Sequence, residues 1–234
     1  MALARAICLF ATFAMPIHAN ESPEAKFWSW FGSTHESFRS IDKAKDGEEL
    51  LDLLLERLHD FDPELYFEVT QPLKDGSNEL IISAEGVRAK FPRVEELVAA
   101  APNIPDWRII AFKPPLGFEF VHEYGELKID PRRLWFLPLT AKSDPSILGL
   151  RIGLPDFDET AKEKIENSVW IILDTGLGEE NCAQSIRHLE VVQLPDEPEG
   201  AGFIELPELS EYLGWIEKKE ANKAEMATPK KPSD

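Results

Sequence analysis

The chain has 234 residues, 43% of them hydrophobic and 10% aromatic, with a formal net charge of −18. That length supports one domain with a real core or two small ones. The charge argues against nucleic acid and anionic membrane surfaces, whose phosphates need Lys and Arg partners, and leaves cations and basic proteins as attracted species.

Residues 1–19 follow the plan of a secretory signal peptide. Arg5 is their one charge, Ala6 to Met15 form an apolar run broken only by Thr12, Pro16 breaks the run, and Ala14 and Ala19 suit a cleavage site. The run is too short to span a bilayer, and no later stretch approaches the length a spanning helix needs. Export to the periplasm or the medium is the expectation, with a cytoplasmic location if the N-terminus is retained. Cleavage removes Cys8 and leaves Cys182 as the single thiol, so no internal disulfide is expected. With Arg5 gone, and with 217–234 carrying five Lys against four acids, residues 20–216 hold a charge of about −20. That charge either attracts a basic partner or only keeps the chain soluble.

In chain order, Ala25 to Lys43 reads as a helix interrupted near Gly32, opened by the aromatic run Phe27-Trp-Ser-Trp-Phe31. Asp46 stands where a helix cap would, ahead of Leu50, Leu51, Leu53, Leu54, Leu55 and Leu58. That many leucines predict burial on more than one side. Leu65, Phe67 and Val69 alternate with Tyr66, Glu68 and Thr70 as a half-buried strand does, and Asp75-Gly-Ser-Asn78 turns the chain into an apolar partner at Leu80-Ile-Ile. Asp75, Ser77 and Glu79 alternate as oxygen ligands would, but a calcium loop needs more of them in a defined order. Pro92 opens a short helix, and Trp107 to Phe112 forms a third strand.

Gly117 to Gly125 is either a strand or an irregular crossing. Glu126 to Ile129 and Arg133 to Leu139 predict a second hairpin turned at Asp130-Pro131, and Ile147 to Leu154 a further strand with a bulge near its glycines. A helix capped by Asp158 follows to Asp174, with Ala161, Ile165, Val169, Ile172 and Leu173 as its stripe and Gly176 and Gly178 past its end. Ile186 to Val192 is a last strand and Leu206 to Ile216 a closing helix. Beyond it, 217–234 lacks apolar periodicity and reads as a disordered tail. No fixed-period repeat is present. Hairpin-like pairs mixed with helices predict a single α+β domain over 25–216, with a largely antiparallel sheet and helices packed against it.

Chemistry is sparse. No phosphate loop, dinucleotide fingerprint, nucleophile elbow or paired-His zinc pattern occurs, so no cofactor or metal is expected. The densest titratable stretch runs from Glu119 to Asp130. Within it His122, Glu123 and Glu126 are the candidates for acid/base catalysis, set against a solvated strand face. Trp28, Trp30 and Trp107 are candidates for a ligand-binding shelf, set against ordinary core packing.

Two stretches carry a resemblance. Asn78-Glu-Leu-Ile-Ile-Ser-Ala-Glu-Gly86 with Phe91-Pro-Arg-Val-Glu-Glu-Leu-Val-Ala-Ala-Ala-Pro102 and Trp107 resembles an uncharacterised family of bacterial proteins built on a domain of unknown function. Asp174, Leu177-Gly-Glu179 ahead of Ile186 and the Trp28/Trp30 opening are similar to the same family. The resemblance spans Phe27 to Val192. It implies bacterial origin and one α+β domain, and it brings no activity. The expected role is a non-catalytic binding or regulatory domain with an acidic surface facing a basic protein. The alternatives are a hydrolase-like enzyme using carboxylates and a small-ligand binder using the aromatic cluster.

Overall fold

A computed structural model describes residues 21–140 and 148–227. The signal-peptide expectation and residues 228–234 of the tail lie outside the described residues. Helix α1 (Pro23–Thr34) starts where Ser22 Oγ accepts the Ala25 N–H at 3.2 Å, and it buries Phe27, Trp28 and Phe31 on one side. It is shorter than the predicted 25–43 helix. The chain leaves it through two 3₁₀ turns, His35–Phe38 and Ile41–Lys43. Helix α2 (Gly47–His59) follows, and its Asp46 side chain makes no capping hydrogen bond. The expected burial of this helix on more than one side also needs correction. Only Leu54 and Leu58 are fully buried, while Leu51, Leu53 and Leu55 remain half-buried, because a single layer covers this helix.

Strands β1 (Tyr66–Val69) and β2 (Asn78–Ser83) form the predicted antiparallel hairpin, with Tyr66 opposite Ser83 and Val69 opposite Leu80. Helix α3 (Phe91–Ala99) then carries the chain across to β3 (Trp107–Ala111), which pairs with β2 in parallel. Leu80 and Ile82 point into a core shared with Phe31, Leu54, Leu58 and Leu97. The other face of the sheet carries Glu68, Thr70, Glu79 and Ile81.

The second half repeats this topology. β4 (His122–Tyr124) and β5 (Leu127–Ile129) make a small hairpin of their own. This overturns the predicted pairing of Glu126–Ile129 with Arg133–Leu139. Asp130 accepts the Arg132 N–H and starts a 3₁₀ turn, Pro131–Arg133, that sends the chain to a different sheet. There β6 (Trp135–Thr140) and β7 (Leu148–Leu154) pair antiparallel, helix α4 (Lys162–Leu177) and short helix α5 (Glu179–Ser185) cross over, and β8 (Ile186–Gln193) returns parallel to β7. The expected irregularity in β7 falls between Leu148 and Gly149. A two-residue strand, β9 (Ile204–Glu205), completes the order β8-β7-β6-β9. Helix α6 (Leu209–Ala227) continues well past the predicted end at Ile216 and takes in the first part of the expected tail.

The result is an α+β domain with mostly antiparallel pairing and two hydrophobic clusters, one in each ββαβ half. Gly176 lies inside α4 rather than beyond it. A Cβ there would sit 2.1 Å from the Phe118 ring, so the glycine makes room for the segment joining the halves. Gly178, at φ +79°, ends the helix and turns the chain into α5.

Candidate functional site

The two halves meet at a buried carboxylate. Glu179 has no exposed surface. Its Oε1 accepts the Ala84 and Gly86 N–H groups at 2.8 and 3.1 Å, and its Oε2 accepts the Lys113 N–H at 3.2 Å. The Glu179 N–H in turn donates to the Lys113 carbonyl at 3.0 Å, and Leu116 and Gly117 donate to the carbonyls of Thr175 and Gly176. One side chain from the α4–α5 junction thus satisfies the ends of both β2 and β3, a charge-assisted arrangement that needs no ammonium at the carboxylate itself. Two non-glycine residues at positive φ, Glu85 at 49° and Phe112 at 66°, flank this clasp. Such backbone persists only where its surroundings hold it.

Above the clasp lies a cleft of about 920 Å³. One wall is the free face of the first sheet, with Glu68, Thr70, Glu79 and Ile81. The opposite wall is α4, with Trp170, Ile171 and Asp174. Lys113, Pro114, Arg88, Ala183, Ile186 and Arg187 complete the lining. Trp170, Ile171 and Leu116 are 37%, 50% and 70% exposed, an apolar patch beside a ring of charges.

Lys113 centres the electrostatics. Its Nζ lies 2.8 Å from Asp174 and 3.1 Å from Glu85. Burial pulls its pKa down, but the hydrogen bonds and charges of Asp174 and Glu85 outweigh burial and hold it above the ordinary lysine range. Burial pushes the Glu68 carboxyl up, and the charges of Glu85, Asp174 and Glu179 add to that push while Lys113 opposes it. Asp174 is raised in the same way, by burial first, against the pull of Lys113. Carboxylates therefore outnumber the one ammonium here, and the surplus is felt at Glu68. Cys182 also borders the cleft as a free, buried thiol, which burial pushes up to about 12, so it stays protonated and unreactive.

The residues singled out from sequence lie elsewhere. His122 and Glu123 are successive residues of β4 and project to opposite faces. Glu123 is exposed and pairs with Lys128 across the hairpin at 2.7 Å, and Glu126 is exposed in the turn. His122 Nε2 is buried without a hydrogen-bond partner among the described residues, and burial pulls its pKa down. The three side chains are not brought together.

Trp28, Trp30 and Trp107 belong to the first core. Trp28 is buried and donates Nε1–H to the Leu97 carbonyl at 2.7 Å, Trp107 stands edge-on to Phe31 at 5.2 Å, and Trp30 packs half-buried against Phe38. The tryptophan that faces the cleft is Trp170. Its signal in the sequence is phase: Trp170 and Ile171 fall off the stripe set by Ile165, Val169, Ile172 and Leu173. Lys113, between Phe112 and Pro114, carries no comparable signal. Among the described residues no group of three or more His, Cys, Asp or Glu is placed to hold a metal ion, and no helix is long and apolar enough to cross a membrane.

Comparison with known proteins finds no matching family model, no matching curated protein and no matching solved structure.

Proposed function

We propose that this chain is a non-catalytic binding domain, exported if residues 1–19 act as a signal, whose interlobe cleft receives a segment of a basic protein. The observation that carries this reading is the cleft's pairing of exposed Trp170, Ile171 and Leu116 with the carboxylates Glu68 and Asp174, both raised above the ordinary range by burial and by acidic neighbours. A Lys or Arg side chain lying over the apolar wall would supply the positive charge that Lys113 alone does not, while its stem covers apolar surface. The overall charge of −18 favours the encounter with such a partner.

The test is capture of peptides from basic, neutral and acidic octapeptide pools by the immobilised mature chain, at low and high salt, with Trp170→Ala as control. Enrichment of basic peptides that weakens with salt and is lost in Trp170→Ala supports the reading. Charge-independent capture, or capture unaffected by Trp170→Ala, overturns it. A second reading, a small-ligand binder, is favoured by the cleft volume of about 920 Å³, which suits a metabolite-sized molecule. It would place the ligand against Trp170 rather than in the Trp28, Trp30 and Trp107 cluster. A tryptophan fluorescence shift on adding metabolites, absent in Trp170→Ala, distinguishes it.

A further inference from the structure

Acids outnumber bases 43 to 25 in this chain, so an arginine without a carboxylate partner is an exception. Among the described residues every arginine but two meets a carboxylate, from Arg39 with Asp106 at 2.7 Å to Arg151 with Glu190 at 2.8 Å. The two are Arg88 and Arg187, and both line the cleft. They come from different halves. Arg88 sits on the 3₁₀ turn Arg88–Lys90 after β2, and Arg187 is the second residue of β8. The two segments approach where Gly86 faces Ala183, a Cβ at Gly86 lying 3.9 Å from that of Ala183. Arg187 Nη1 donates to the Ala183 carbonyl and, at 3.5 Å, to that of Ile186, which fixes one prong of its guanidinium, and among the described residues its other N–H groups make no hydrogen bond. Arg88 makes no side-chain hydrogen bond among the described residues. Burial and, after it, the positive charge of Arg88 pull the Arg187 pKa down, so the pair repels in the absence of an anion.

We infer that Arg88 and Arg187 form a carboxylate-recognition subsite, which takes an acidic side chain or a C-terminal carboxylate of the same segment whose cationic group meets Glu68 and Asp174. Two guanidinium groups lining one cleft, without carboxylate partners among the described residues, supply the donors that the two oxygens of a carboxylate accept. A phosphate dianion fits less well, because Glu68, Glu79, Glu85 and Asp174 border the same cleft and repel the second charge. The cleft thus reads a segment with opposite charges at its two ends and an apolar residue between them, lying along Trp170 and Ile171. This rests on the peptide-binding reading above and adds a polarity to it.

The experiment compares the immobilised mature chain with an Arg88→Gln/Arg187→Gln variant in capture from octapeptide pools with free or amidated C-termini, including a phosphoserine pool. Both arginines are exposed, so an unchanged melting temperature certifies the fold of the variant. The wild-type chain is expected to enrich peptides bearing a basic and an acidic group on either side of an apolar residue. The variant keeps the basic preference, loses the acidic one, and binds the doubly charged peptides about tenfold more weakly. Loss of capture on amidation assigns the subsite to a terminal carboxylate, and retention assigns it to an acidic side chain. An acidic preference that survives in the variant, or a wild type that selects basic peptides without an acid, overturns the inference and leaves the binding reading standing. Preference for phosphoserine over carboxylate overturns the carboxylate assignment. No peptide capture by the wild type overturns both.

Discussion

The two ββαβ halves share a plan and differ in what they do with the outer face of the sheet. In the second half the central strand β7 buries Leu148, Leu150, Ile152 and Leu154 against α4 and α6, and its outer positions are Gly149, Arg151 and Gly153. Glycines there let β8 and the Phe203 segment lie close, and Arg151 is neutralised by Glu190 at 2.8 Å. That face carries a balanced ion pair on a partly solvent-exposed surface. In the first half the central strand β2 is just as apolar on its core side, but its outer face, with Glu68, Thr70 and Glu79 around Ile81, is turned toward α4 across an open cleft. The same topology therefore supplies a supporting unit in one case and a wall of a site in the other. The difference lies in a few outward-facing residues.

Glu179 is the buried side chain that bonds both strand ends across the halves, so its removal is expected to break the comparison most. Glu179→Ala leaves three N–H donors, one buried and two part-buried, without their acceptor and should cost about 3 kcal/mol. The two cores should then unfold separately, seen as non-coincident urea transitions by tryptophan fluorescence and far-UV circular dichroism. A single cooperative transition near the wild-type midpoint would show that other contacts do the coupling. Next comes a tryptophan pair. Trp28→Ala opens a cavity in the first core and should cost about 4 kcal/mol, whereas Trp170→Ala, on the cleft wall, should change stability by less than about 0.5 kcal/mol. Equal losses in a denaturant titration would mean that Trp170 is structural. Gly176→Ala, which drives a methyl group into the Phe118 ring, should cost about 2 kcal/mol. A thermal melt indistinguishable from wild type would mean that Phe118 can move aside.

Much of this frame is legible in the sequence, because it is written in periodicities. Alternation at Leu65 to Thr70 and the turn at Asp75 give the first hairpin, and the spacing of Ile165, Val169 and Ile172 gives α4. What stays hidden is set by long-range partners. Asp130-Pro131 has the chemistry of a turn but no mark to say which strands it joins, and the parallel crossovers to β3 and β8 leave no local trace. The site is harder still. His122, Glu123 and Glu126 attract notice by density, yet adjacent strand residues point apart. Lys113, Asp174 and Glu179 are each unremarkable alone and become a group only through folding, across separations no local pattern encodes.

The smallest expected effect tests the charge imbalance directly. Glu68 has its pKa raised above the ordinary glutamate value, by burial first and then by its acidic neighbours. A carboxyl raised on folding binds its proton more tightly in the folded chain. Its contribution to stability is therefore full below the unfolded value and is lost as the pH climbs through the raised folded value. Glu68→Gln removes that loss, so the variant should melt at a higher temperature than wild type at neutral pH, with the gap closing toward pH 4. Asp62 in the same half makes the opposite case. It is buried, whereas Glu68 keeps solvent exposure, and the Glu64 N–H, Lys90 and Arg93 outweigh burial and hold its carboxyl below the usual value, so its stabilisation is present at neutral pH and is lost as the pH falls. Melting curves of Glu68→Gln and Asp62→Asn across acid to neutral pH should thus diverge in sign. If Glu68→Gln is neutral at every pH, the carboxylates of the cleft are already balanced. The need for a cationic group from a partner then disappears, even though Asp62→Asn still shows that a buried carboxylate in this half can be satisfied from within the fold.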